Sequence, residues 1–368
     1  MAGYILYGVE ASYYAAKVRA CLACKQIPFA EIQASRRVYA EQILPRVGWP
    51  VVPVLVTPAD ETVQDSSDMC DLLEARHPQR PILPPDPSAR VLCHLLEFLG
   101  DEWLKLPAMH YRWNYNHDFA VAEFGYNNDP DYPRADQLRI GAKIARQFRG
   151  WLPPLGVLPE SHATIEQDYL AFLHLLDAHF AEHAFLLGSA PTLGDFAFFG
   201  PLYAHLYRDP AAGEVMNAHA PRVVAWIERL RAGAPDAQPL AEPVTVPSSL
   251  WRIVKHLCRD FVPMLVTEMA GVQRWLREHP GDGELPRHCG TQTLVLGRGT
   301  PLEVAVPRAL FTYDQWMLQR LQDAWAETPV EIRAGLRAMF GGVGAEALLD
   351  IPIPLRVERH NFRLRRVT

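Results

Sequence analysis

A small α/β domain with a mixed sheet, an all-helical domain and an added α+β extension make up the fold class that this 368-residue sequence predicts. Three observations carry it. The first eighty residues read as strand–helix–strand, loop, hairpin and helix, the pattern of an α/β unit. Two proline-rich breaks, at 78–87 (five prolines) and 235–247, mark stiff linkers. Between the breaks every regular pattern is helical, and after the second break helix and strand patterns mix. The expected domains are therefore 1–80, 86–235 and 248–368.

Each element follows from local pattern. Residues 4–9 alternate apolar side chains and read as a strand. Residues 14–26 have helical spacing, with Val18, Cys21, Leu22 and Lys25 on one face. Residues 29–32 form a second strand, and an irregular segment leads to 51–56. There Pro53 interrupts a β-branched run, which predicts a cis Val52–Pro53 peptide with the Val52 backbone turned outward. Pro58 to Glu61 make the turn of a hairpin, and Asp65-Ser66 open a helix, with Ser66 as its cap. Residues 88–115 are a long helical pattern, 116–135 a turn-rich excursion, and helices resume at 136–150, 161–183, 195–207 and 221–232. Thr192 to Asp195 have a capping-box layout. The extension reads as a helix at 250–279, strands at 293–296 and 303–306, helices at 312–326 and 329–339, and one alternating strand at 355–366.

Composition narrows the function classes. A hydrophobic fraction of 49% supplies a large core, and a net charge of −6 gives no broad basic footprint for nucleic acid. The basic stretch from Arg356 to Arg366 alternates with apolar residues and reads as a solvated strand face. No apolar run reaches membrane-spanning length, and the opening YILYGV lacks the form of a signal peptide. Six cysteines are too few for a disulfide framework, so a reducing cytoplasm is expected. Cys21 and Cys24 fall inside the first helix instead of at its start, which makes them core and not a redox pair. No metal is expected, because His110, His117 and Asp118 lack ligand spacing.

The proline-broken strand VVPVLV, the pair Asp65-Ser66, and the segments SAPTLGDFAFFGPL and APRVVAWIERL occur in this order. In that order they resemble the glutathione S-transferase superfamily, of a bacterial, serine-like type, across roughly the first 235 residues. The resemblance implies a thioredoxin-like domain before an all-helical one, and glutathione as co-substrate. It places Ser12 at the thiolate-stabilising position, with Tyr13 or Tyr14 as alternatives. Val52 would pair with the cysteinyl backbone beside Pro53. Ser66 would bind the γ-glutamyl carboxylate, Asp65 the ammonium, and Arg46 and Trp49 would lie near the glycyl end. Tyr111 and Arg112 would line the second-substrate pocket. A thiol of pKa about 8.5 is mostly protonated at neutral pH. A hydroxyl at a helix N-terminus favours the thiolate, each pKa unit requiring about 1.36 kcal/mol. The implied reaction is attack of that thiolate on a small hydrophobic electrophile, in a homodimer. A non-catalytic binding or scaffold protein, or a glutathione-dependent peroxidase or ether-cleaving enzyme, would use the same frame.

Overall fold

The computed structural model describes residues 3–240 and 242–367. β1 (Tyr4–Gly8), α1 (Tyr13–Cys24) and β2 (Phe29–Gln33) form a parallel crossover. β3 (Val54–Val56) and β4 (Thr62–Gln64) join antiparallel, giving the sheet order β2-β1-β3-β4, and α2 (Ser66–Arg76) follows. The Val52–Pro53 peptide is cis. This is the thioredoxin-like arrangement.

Residues 36–47 are helical where the sequence reads as irregular. Ser35 accepts a hydrogen bond from the Val38 N–H at the start, and Gly48 ends the run at φ +78°. Ile43 and Val47 bury against Tyr7, Val54 and Val56. Tertiary burial of these two residues outweighs the weak local signal.

The helical domain begins with α3 (Pro87–Phe98), which continues with wider turns to residue 115. It adds α4 (His117–Asn128), α5 (Arg134–Arg149), α6 (His162–His179), α7 (Leu193–Ala204), α8 (Pro210–His219) and α9 (Pro221–Arg231). The expected turn-rich excursion is therefore mostly the helix α4. It packs so closely on α5 that a Cβ on Gly141 would lie 1.9 Å from the Val121 carbonyl oxygen, and one on Gly125 2.0 Å from that of Gln137. Glycines that locally suggest a turn here permit helix contact. Asp195 is a hub: it accepts from the Leu186 and Thr192 N–H groups and from the Trp226 indole.

The extension holds α10 (Ser248–Glu278), the hairpin β5 (His288–Leu296) and β6 (Val304–Phe311), α11 (Thr312–Glu327), α12 (Val330–Gly342), and a last pair, β7 (Val357–His360) and β8 (Arg363–Arg366). That last pair replaces the single predicted strand. The chain reverses at Asn361 and Phe362, both at positive φ, so one alternating pattern spans two antiparallel strands.

The extension docks on the rest through charge. Arg320 of α11 contacts Asp71 at 2.5 Å and Glu97 at 3.1 Å, and Arg359 contacts Asp68 at 2.7 Å. Asp314 is buried at the same junction and has no hydrogen-bond partner among the described residues; Arg308 is 3.7 Å away. Burial, then Glu268, raises its carboxyl to about 7 against Lys105 and Arg308. The folded chain thus holds this proton more tightly than the unfolded one, whose carboxyl titrates near 3.9. Its stabilising contribution is complete below about pH 4 and is lost as pH rises through 7. Asp314→Asn should come close to the native Tm near pH 4 and exceed it by several degrees at pH 9. A thermal scan showing the same difference at both pH values would refute this.

Candidate active site

Strand register brings the predicted residues together. β3 pairs Val54 with Tyr7 of β1 and with Gln64 of β4. Both ladders end at this edge of the sheet, with Val52 two residues before β3, Ser66 two residues after β4, and Ser12 four residues after β1. Neither the N–H nor the C=O of Val52 is hydrogen-bonded among the described residues, and neither is the Ser66 N–H or hydroxyl. Unclaimed donors at the start of an eleven-residue helix suit a carboxylate.

Asp65, and not Ser66, is the N-cap of α2, its Oδ1 accepting the Ser67 N–H at 2.9 Å. It sits at φ +99°, a conformation that costs about 1–3 kcal/mol and clusters at functional sites. Ser12 is the N-cap of α1, and its half-buried hydroxyl accepts the Ala15 N–H at 3.2 Å, leaving its own proton free to donate. The start of α1 is seated on α7, where a Cβ on Gly200 would lie 2.6 Å from the Tyr13 carbonyl oxygen.

Three predicted residues do other work. Tyr13 is buried and donates its phenol to the Asp101 carbonyl at 3.0 Å, so it is turned inward. Arg112 is buried, paired with both carboxylate oxygens of Asp209 at 2.7 Å, and donates to the Ala11 carbonyl at 2.7 Å and the Ala204 carbonyl at 2.6 Å. With its donors engaged it anchors the loop before Ser12. Tyr111 is buried in aromatic packing with Tyr115 and Tyr169. Tyr14 also donates to the Asp101 carbonyl, at 3.2 Å, but remains partly exposed. Arg46 reaches Asp60 at 2.8 Å and Thr62 at 3.2 Å on the outer side of the hairpin.

Residues of the extension, absent from the sequence reading of the site, complete its wall. The Tyr313 hydroxyl donates to Asp65 Oδ2 at 2.6 Å, and Arg359 lies 3.5 Å from the same atom. Phe362 packs on the small core that also holds Trp49, Val51 and Val52. Arg287 and Arg363 both stand over the Trp49 ring, at 5.4 and 4.3 Å from its centroid. The basic stretch read as a solvated strand face is thus partly a docking surface. No local signal marks these residues, since their partners lie more than two hundred positions away.

A model of the glutathione S-transferase N-terminal domain matches residues 6–81, and one of the C-terminal domain matches residues 159–229. The chain carries both domains of the glutathione S-transferase superfamily. The N-terminal match spans Ser12, Val52, Pro53, Asp65 and Ser66, and the C-terminal match spans the Asp195 hub. Residues 248–368 lie outside both.

Solved structures similar to it include a glutathione S-transferase from Rhodospirillum rubrum, 18% identical, covering 68% of this chain and 99% of that one at a TM-score of 0.42. A beta-etherase from a Sphingobium species is 16% identical, covering 68% and 98%, at 0.46. A glutathione S-transferase from Methylobacterium radiotolerans, in complex with glutathione sulfonate, is 24% identical, covering 66% and 98%, at 0.39. No curated protein matches the chain. No helix among the described residues is long and apolar enough to cross a membrane.

Proposed function

We propose that this chain binds glutathione and transfers it, through its thiolate, to a small apolar electrophile. The observation that supports this best is the unclaimed set of polar groups at Val52 and Ser66, at the same edge of the sheet as the loop leading to Ser12. Val52 would bind the cysteinyl backbone as an added strand does. Ser66 would hold the γ-glutamyl carboxylate, and Ser12 would donate to the sulfur where the helix dipole already favours negative charge. In this reading residues 1–80 bind the tripeptide, 86–235 wall the second substrate, and 248–368 roof the cleft. Any homodimer must leave Asp71 and Glu97 to Arg320.

Calorimetry with glutathione and turnover of a model electrophile test it. Ser66→Ala should weaken glutathione binding by about tenfold or more, the value of a hydrogen bond to a charged group. Ser12→Ala should spare that affinity and cut turnover by about a hundredfold, as the loss of one donor to a reacting anion does. No binding of glutathione at millimolar concentration would refute the reading.

One observation favours a second reading, a binding protein without turnover. Asp65 is already engaged by Tyr313 and Arg359, so the ammonium's partner is shared with the chain's own extension. Glutathione binding without turnover in the native chain, with turnover appearing in Tyr313→Phe, would identify that reading as the correct one.

A further inference from the structure

Arg287 differs from the other arginines near the cleft. Its guanidinium stands over two indoles, 5.4 Å from the Trp49 centroid and 5.5 Å from that of Trp151. Trp49 belongs to the thioredoxin-like domain, Trp151 to the helical domain, and Arg287 to the extension, so all three meet here. Yet Arg287 makes no ion pair and no side-chain hydrogen bond among the described residues, and it remains exposed. Arg46, Arg112, Arg320 and Arg359 all have carboxylate partners.

The stacking decides where its donors point. A guanidinium that sits over an indole face leaves the N–H groups at its planar edge available to a further partner. An edge of that kind is the half of a bidentate pair that a carboxylate or sulfonate completes. Arg363 stacks on the same indole, 4.3 Å from its centroid, and is paired with Glu284 at 2.9 Å. Two guanidiniums and one carboxylate leave one positive charge, which matches a monoanion. Burial and the nearby Arg363 lower the Arg287 pKa, whereas the Tyr14 phenol raises it. Around the donors, Trp49, Trp151 and Tyr14 offer aromatic surface, and His288 packs edge-on against Trp151.

We propose that Arg287, set over both Trp49 and Trp151 and flanked by Arg363, is an anion-binding site where the three domains meet, and that it selects small aromatic acids, carboxylates or sulfonates, as the second substrate. The assignment of the bound acid as second substrate rests on the glutathione-transfer reading; the anion site itself does not. The aromatic walls favour an aromatic body over the glycyl carboxylate of the tripeptide. Both family-matched segments exclude Arg287 and Arg363, so the selectivity is a property of the extension.

The test uses the full chain with benzenesulfonate and its neutral analogue of similar size, methyl phenyl sulfone, titrated by tryptophan fluorescence and calorimetry. The native chain should bind the sulfonate at least tenfold more tightly than the sulfone. Arg287→Gln should bring that ratio near one, and Arg287→Lys, which keeps the charge and loses the fork, should fall between. A residue that only staples the domains would change Tm and leave the ratio alone. Equal binding of the two probes by the native chain, or an unchanged ratio in Arg287→Gln, overturns the proposal. So does an Arg287→Gln variant that loses glutathione affinity while keeping the sulfonate. Glutathione is titrated separately on each variant. Sulfonate selectivity without glutathione binding supports the anion site and removes the transfer reading; glutathione binding without selectivity does the reverse.

Discussion

Replacing Lys17 with methionine should destabilise the fold by about 3–5 kcal/mol, the cost of breaking a buried ion pair from one side. Lys17 is fully buried on α1, and its ammonium reaches Glu97 at 2.8 Å, Asp101 at 2.5 Å and the Ser67 hydroxyl at 3.2 Å. It therefore joins α1, α2 and the long α3 segment at one point. Methionine fills the volume and supplies no charge. Glu97 would keep Arg320, at 3.1 Å, but among the described residues Asp101 has no other cation within ion-pair distance. Burial raises the Asp101 carboxyl to about 7 even with Lys17 present, and without Lys17 it would rise further. A carboxyl held protonated costs little below that pH and much above it, so the loss should grow from pH 6 to pH 8. Urea unfolding at the two pH values measures this. A loss below about 1 kcal/mol at pH 8 would show that the network does not bear on stability. Asp101→Asn in the Lys17→Met background should restore part of the loss at pH 8 and little at pH 6.

The second large effect is expected at Arg112. Arg112→Met would leave Asp209, which is fully buried, without a counter-ion and would orphan the Ala11 and Ala204 carbonyls. A similar loss of about 3–5 kcal/mol follows. Lysine should not rescue it, because one ammonium cannot form the bidentate pair and reach both carbonyls. Removing both charges, in Arg112→Met with Asp209→Leu, should recover much of the stability. The double variant also separates stability from position. The Ala11 carbonyl next to Ser12 would still lack its donor, so turnover should stay low while Tm recovers. Recovery of both together would show that Arg112 has no part in placing Ser12.

Much of the site lies within a few residues of its own signal. Pro53 disrupts a strand wherever it occurs, Ser12 caps the helix it begins, and Asp65-Ser66 sit where a hairpin ends and a helix starts. These are backbone constraints of neighbouring residues, and they survive any tertiary arrangement. The same locality explains the misreadings. Residues 36–47 and 117–128 are helical because Ile43 and Val47 found a core and Gly125 and Gly141 found a close partner. Neither partner is visible in a window of a dozen residues. Arg112 has the composition of a pocket residue, and only Asp209, ninety-seven positions on, shows that it is an anchor.

The sequence by itself determined the elements, their order and the cradle formed by Val52, Pro53, Asp65 and Ser66, because capping, proline geometry and strand alternation act over short separations. Only the tertiary structure decided what surrounds that cradle. Tyr313 and Arg359 close on Asp65, Arg287 and Arg363 stack on Trp49, and Tyr13 turns inward to Asp101. Each is a pairing of charge or ring across long separations, set by how the extension docks and not by any local preference. The proposed peptide site is therefore local in origin, and what surrounds it is assembled by the fold.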